Sequence, residues 1–376
     1  MSHHFRHDRE RRKGSCGRFP AIVRFSGLIL LLVITGTVVT SCQEGVQKNA
    51  PKRLIPSSSL VYSFDGVIYS ASSLANNDVV NYGKDTRGAS QQPIISPERN
   101  QIAYLSYKQR LTYEEGQPSG TVNVAGQIWL MTSAGEGRRE LSSFLEDPGI
   151  LSPTIAFDWL PNGRSLMCLE NSSEPNQKPQ FNLYEVTTGE KKTVIATWQS
   201  VYEDFPDLSL SVSPSGGMIA YLLSPTANET GTPRHMVAVR AISAGKAGPE
   251  RIIYSEDRPQ LADGTLLSKG IVWLSDDELL FARNDPQFDS KHRNVPLRST
   301  LYKLNVNTGQ NIPIFQTNPG SYFVSGPTLS PDHQSAAFGY KDVGAIDEEI
   351  AVLDFHSNTL RVIDGKAGTD VNWSSP

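Results

Sequence analysis

Three cysteines in 376 residues are too few for a disulfide framework, and no C-x-x-C pair suggests a zinc site. The chain lacks a G-x-S-x-G nucleophile elbow, a G-x-x-x-x-G-K-[ST] phosphate loop and a G-x-G-x-x-G turn. It also lacks a basic surplus. Residues 1–41 take seven of the 35 Lys and Arg and two of the 39 Asp and Glu, which leaves 28 against 37, a net of −9. A body so charged repels phosphate, so nucleic acid is excluded as a partner. Long apolar runs are missing too. The longest, Phe25 to Thr40, falls short of the roughly 20 residues a permanent membrane helix needs. What is present is a core's worth of apolar residues (38%), with 24 Pro and 30 Gly spread along the chain. That spread suits many short strands and turns and argues against a helical bundle.

The N-terminus reads as an address. Arg6, Arg9, Arg11, Arg12, Lys13, Arg18 and Arg24 precede the apolar run, which ends in Val39-Thr40-Ser41-Cys42. A basic flank, a short apolar stretch and small residues before a cysteine predict a bacterial lipoprotein signal over 1–41, with a diacylglycerol carried on Cys42. Residues 42–58 show no helical or strand period and are expected to be a flexible tether.

From residue 59 the chain repeats. An apolar residue, Ser-Pro or a relative, a turn and a short strand recur as Ile95-Ser96-Pro97 with Ile102-Ala103-Tyr104, and as Trp159-Leu160-Pro161 with Leu166-Met167-Cys168. Further copies are Val212-Ser213-Pro214 with Ile219-Ala220-Tyr221, Trp273-Leu274-Ser275 with Leu279-Leu280-Phe281, and Leu329-Ser330-Pro331 with Ala336-Ala337-Phe338. Trp373-Ser374-Ser375 begins a last copy. A second hairpin follows each, turning at Gly135, Gly189, Gly245, Gly309 or Asn358, residues that reach positive φ cheaply. Four strands per repeat predict propeller blades. The expectation is an all-β, six-bladed propeller over 59–376. Its last blade is closed jointly by the C-terminal strand at Trp373 and N-terminal strands at Leu60–Phe64, Val67–Ser70 and Asp78–Asn81.

The Ser-Pro-x-x-x-x-Ile-Ala-Tyr unit resembles the TolB-like propeller repeat over about residues 59–376. The resemblance implies a six-bladed ring. The same repeat occurs in peptidase propellers, which attach a hydrolase domain for which this chain is expected to have no residues, and in some metal-dependent lyases, the enzyme class it brings into view.

Candidate chemistry is sparse. Beyond the signal the histidines are His235, His292, His333 and His356, spread over different strands and turns, so no metal site and no cofactor are expected. Cys168 occupies the slot that Tyr104, Tyr221 and Phe338 fill elsewhere and reads as a core residue. Trp129, Trp159, Trp273 and Trp373 read as blade-packing residues, while Trp198 is off-pattern. Strand alternation gathers the segments Ser106–Gln127, Glu170–Gln180, Ser224–His235, Arg283–Thr300 and Tyr340–Glu349 on one face as long loops. The blade connections on that face carry Glu203, Asp204, Asp207, Glu256, Asp257 and Asp263, the candidate surface for a protein or saccharide partner. The reading is a monomeric lipoprotein on the extracytoplasmic side of the cell or outer membrane, acting as a binding or scaffold module without catalysis. The alternative is a propeller lyase or hydrolase acting on an extracellular polysaccharide or similar substrate.

Overall fold

The computed structural model describes residues 60–71, 79–84, 88–114, 117–144, 154–172, 180–199, 208–223, 234–257, 267–288, 294–342 and 345–373. The predicted signal, Cys42 and the tether lie outside these residues. All the described residues belong to one compact unit, and among them every regular element is a β-strand.

The chain opens with the antiparallel strands β1 (Leu60–Phe64), β2 (Val67–Ala71) and β3 (Val79–Lys84). Asp65 and Gly66 join the first two at φ 47° and 71°, the double positive-φ turn that matches strand twist. A second sheet runs β4 (Gly88–Ile95), β5 (Gln101–Glu114), β6 (Gln117–Thr132), β7 (Arg139–Phe144), each strand beside the next. A third runs β8 (Thr154–Trp159), β9 (Ser165–Ser172), β10 (Gln180–Thr187), β11 (Lys192–Gln199). The fourth has β12 (Leu208–Val212), β13 (Met218–Leu223), β14 (Arg234–Ser243), the two-residue β15 (Lys246–Ala247) and β16 (Arg251–Asp257), which pairs with β14. Next come β17 (Leu267–Ser275), β18 (Glu278–Phe288), β19 (Asn294–Asn305) and β20 (Asn311–Gln316), then β21 (Ser321–Phe323), β22 (Thr328–Leu329), β23 (Ser335–Asp342), β24 (Glu349–Asp354) and β25 (Thr359–Ala367). Finally β26 (Thr369–Trp373) returns to β1, with Trp373 opposite Leu60 and Asn372 opposite Val61. The sheets are arranged as in a β-propeller, and each four-strand meander begins at the strand that carries the Ser-Pro repeat or its relative.

Packing explains the uninterrupted apolar runs of the second strands. In β9, Leu166 and Cys168 face the preceding sheet while Met167 and Leu169 face the next one. In β13, Ile219 and Tyr221 pack backward and Ala220 and Leu222 forward. A strand buried on both faces needs no polar alternation. The fourth strands are wet on the outside: Lys192, Thr193 and Val194 of β11 are all exposed.

Two predicted loops are strands instead. Within Ser106–Gln127 the ladder of β5 and β6 continues to Glu114 opposite Gln117, and within Arg283–Thr300 β18 and β19 pair out to Phe288 opposite Asn294. Tyr107, Leu111, Thr112 and Tyr113, like Thr121 and Val122, favour extended backbone, so nothing stops pairing that the inner halves have already set in register. A further departure from four strands per repeat is β21, which pairs with β19 and β23 and links two meanders into one nine-stranded sheet. Buried polar groups hold it. Phe323 N donates to Ser299 Oγ at 2.7 Å, Asn284 Nδ2 to the Phe323 carbonyl at 2.9 Å, and Thr317 Oγ1 to the Ser321 carbonyl at 2.6 Å.

Candidate functional site

The first strands of the meanders, β4, β8, β12, β17, β22 and β26, are each paired on one side only, with β5, β9, β13, β18, β23 and β1. Together they line a cavity of about 290 Å³. A one-sided strand presents unpaired N–H and C=O groups along its free edge. Here side chains of the neighbouring first strand meet several of them. Val212 N donates to Asp158 Oδ2 at 2.8 Å, Ile95 N to Asn372 Oδ1 at 3.1 Å, and Trp373 N to Thr328 Oγ1 at 2.9 Å. The three acceptors occupy one register position, immediately before Trp159, Trp373 and Leu329. Indoles add links in the same direction: Trp159 Nε1 donates to the Ile94 carbonyl at 3.2 Å and Trp273 Nε1 to the Ser211 carbonyl at 3.1 Å. These tryptophans therefore do more than fill space, because each fastens a first strand to its predecessor.

Asp158 is the titratable group of this belt. Its Oδ1 accepts Trp159 N at 2.8 Å, and Oδ2 also accepts the Ser211 hydroxyl at 3.3 Å. Burial outweighs these bonds to Val212, Trp159 and Ser211 and pushes the carboxyl up to about 6. His333 stands in the turn after β22 at φ 56° and also lines the cavity. Its Nδ1 is 3.1 Å from the Leu274 carbonyl. A carbonyl only accepts, so Nδ1 is the donor in this contact.

A second level of the cavity lies two residues earlier along each of these segments, at Gln92, Ala156, Ser209, Gly270, Gly326 and Asp370, all of them in the lining. Three of these have positive φ: Gln92 at 49°, Gly270 at 122° and Asp370 at 50°. Each coincides with a break in register, between Gln91 and Ile94, Leu267 and Ile271, and Val61 and Ser63 of the partner strand. Such bulges re-aim the side chain they carry. Asp370 Oδ2 accepts the Ser63 hydroxyl at 3.2 Å.

The residues expected to form the partner surface are placed differently. Glu203, Asp204, Asp207 and Asp263 lie outside the described residues. Glu256 and Asp257 end the outer strand β16, opposite His235 and Arg234, and their side chains are not described. Cys168 is fully buried with its thiol pushed up by burial, as a core residue would be. Trp198 packs against Phe181 and Tyr221 under the Arg240 guanidinium, 4.0 Å from its ring, which makes it an inter-sheet residue. Among the described residues no group of three or more His, Cys, Asp or Glu is placed to hold a metal ion. Gln92, Asp158 and His333 were not singled out as site residues. Asp158 had one signal, as the acid at a register position filled elsewhere by Ile94, Ser211, Val272, Thr328 and Asn372.

No family model and no curated protein matches the chain. Solved structures do, and these neighbours are propeller proteins. A chain of a nidogen–laminin complex matches at a TM-score of 0.49 and 10% identity, covering 85% of this chain and 99% of that one. The periplasmic gluconolactonase of Pseudomonas aeruginosa matches at 0.43 and 12% identity, over 83% and 97%. An oligogalacturonate lyase in complex with manganese matches at 0.42 and 11% identity, over 80% and 71%. At such identities the likeness concerns the fold alone. A lyase and a gluconolactonase are among these neighbours, and the expectation that the chain is not an enzyme is withdrawn. The physical reason is that a propeller cavity assembles residues from strands far apart in sequence, so the lack of a linear motif excludes no catalysis. The chain is similar to enzymes and to a laminin-complex protein alike, and what it shares with all of them is the propeller-like fold.

Proposed function

We propose that the chain is a propeller enzyme, a hydrolase or lyase, acting on a saccharide or similar extracellular substrate in the axial cavity. The observation that carries this reading is Asp158, a carboxyl in the cavity wall whose affinity for a proton burial has moved to about 6. A group that titrates near the working pH is an efficient general acid or base. Asp370 adds a second carboxyl and His333 an imidazole to the same wall. Cleaving a glycosidic bond by hydrolysis calls for such a pair of acids.

The sheets are proposed to be six blades in a closed ring. Supporting this, core clusters join each meander to the next, including Val61 and Ile68 with Ile102 and Tyr104, and Val371 and Trp373 with Ala337 and Val352. The ring is proposed to be held on the extracytoplasmic side of a membrane by lipid on Cys42. Cys42→Ser should abolish incorporation of labelled fatty acid, and unchanged labelling would remove the anchor.

The test of the enzyme reading is Asp158→Asn assayed on a panel of polysaccharides and sugar lactones. The amide oxygen still accepts one of the N–H bonds but cannot exchange a proton near pH 6. Turnover by the parent with an apparent pKa near 6, falling on the order of 10²–10⁴-fold in the variant, is expected. Parent-like turnover in the variant would rule Asp158 out as the acid or base.

A further inference from the structure

We propose that the occupant of the axial cavity is a neutral, hydroxyl-rich ring, one unit of an uncharged sugar, gripped between Gln92 and Asp370. This rests on the reading of that cavity as the substrate site. Gln92 is on β4 and Asp370 on β26, and the Asn372 bond to Ile95 N ties those two strands together just below them. At this level the other first strands contribute Ala156, Ser209, Gly270 and Gly326. The two long polar side chains are therefore adjacent, and the rest of the ring is small. Gly270 and Gly326 approach so closely that a Cβ on Gly270 would lie 2.7 Å from the Gly326 Cα, which leaves the wall flat there.

The hydrogen-bonding groups suit a diol. A carboxylate accepts from two hydroxyls at once, and a primary amide both donates and accepts, so the pair can hold two neighbouring hydroxyls of a ring. Charge disfavours an acidic occupant. The described lining contains Asp158 and Asp370 but neither Lys nor Arg. A uronate would bring a further negative charge into a partly dehydrated space beside Asp158 and Asp370, with His333 the basic group of the described lining. An ammonium sugar would be drawn by both acids and is the competitor that the titration must separate. Asp158 already accepts two backbone N–H groups and a hydroxyl, and Asp370 accepts Ser63. The size agrees: about 290 Å³ is at the foot of the roughly 300–1,000 Å³ range of small-ligand sites, enough for a ring unit rather than a chain.

The experiment is titration of the full chain with D-glucose, D-galactose, D-mannose, D-galacturonate and D-glucosamine. Calorimetry and the fluorescence of Trp159 and Trp273, both in the cavity wall, report binding. Two variants keep the backbone. Gln92→Gly removes the amide at a positive φ that glycine adopts freely, and Asp370→Asn keeps shape and tolerates φ of 50°. Saturable binding of a neutral hexose is expected, weakened about tenfold or more in either variant at an unchanged unfolding midpoint. Binding of galacturonate or glucosamine in preference to every neutral hexose would overturn the proposal, as would no hexose binding or variants that bind like the parent. The two readings fail separately. Neutral-sugar binding without turnover of any substrate upholds this inference and sinks the enzyme. Turnover of a uronate polymer does the reverse.

Discussion

Glu170 is 1% exposed, and its Oε2 accepts the Tyr184 hydroxyl at 2.9 Å. Burial is the largest influence on it and raises its proton affinity, against Tyr184, Lys192 and Asn182, which favour the anion. A carboxyl raised in the folded state stabilises the fold while protonated, and that contribution is lost as pH rises through its folded value. Near neutral pH the side chain is therefore a cost. Glu170→Gln keeps an acceptor for Tyr184 and removes the buried charge. It should raise stability at pH 7 by on the order of 1 kcal/mol and flatten the acid-side pH dependence. The attraction to Lys192 is lost, but burial already weakens that ammonium's hold on its proton, and its Nζ keeps the Tyr184 ring at 3.9 Å. Equal or lower denaturation midpoints for the variant across pH 4–8 would show that the ion pair outweighs burial. Asp158 follows the same sign: its contribution is present below about pH 4 and gone above about pH 6. At this scale the sequence was readable where a side chain repeats a slot, as Cys168 does with Tyr221, because apolar burial follows the strand period. It was not readable at Gln92. Glutamine carries no local sign of positive φ, and only the bulge between Gln91 and Ile94 puts it there.

Gly270 shows how an element is tuned by one position. Its φ of 122° is one that L side chains rarely adopt, and an added Cβ would meet backbone, not a side chain that can swing away. Gly270→Ala should cost about 3 kcal/mol from strain and overpacking together, read as a lower denaturant midpoint at unchanged slope. Gly245 is the control. It sits at φ 69° in the β14–β15 turn with nothing within 4 Å of a Cβ, so Gly245→Asn should stay within about 1 kcal/mol of the parent. Similar losses in both would mean that φ alone, and not the Gly326 contact, sets the cost at Gly270. The first and second strands of the meanders were legible because Ser-Pro turns and two-sided apolar runs are local. The hairpin arm of β18 and β19 and the insertion of β21 were not. They depend on register set elsewhere and on polar contacts such as Ser299 with Phe323, which are distant in sequence.

At the scale of the whole molecule, the pairing of β26 with β1 joins residues more than 300 positions apart. Three kinds of contact depend on it. Backbone bonds tie Trp373 and Asn372 to Leu60 and Val61. Val371 and Trp373 pack with Leu60 and Tyr62 of their own sheet and with Ala337, Ile350 and Val352 of the preceding one. Asn372 Oδ1 accepts Ile95 N in the next meander, and Trp373 N donates to Thr328 Oγ1 in the previous one. If these contacts close a ring, removing them weakens every blade interface, because an open propeller exposes two sheet edges and two apolar faces. A buried tryptophan alone is worth about 3–5 kcal/mol, against a total of about 5–15 for a domain. Deleting residues 371–376 should therefore bring down the midpoint of the whole unfolding transition, leaving little native protein at 37 °C. Asn372→Ala should cost only about 1–2 kcal/mol, since one acceptor is lost and the strand remains. The measurement is denaturant unfolding followed by tryptophan fluorescence and far-ultraviolet circular dichroism together. Coincident curves at a lower midpoint fit closure. A shortened chain with the parent's midpoint and a small loss of strand signal would mean that the terminal strand merely frays and the ring does not depend on it.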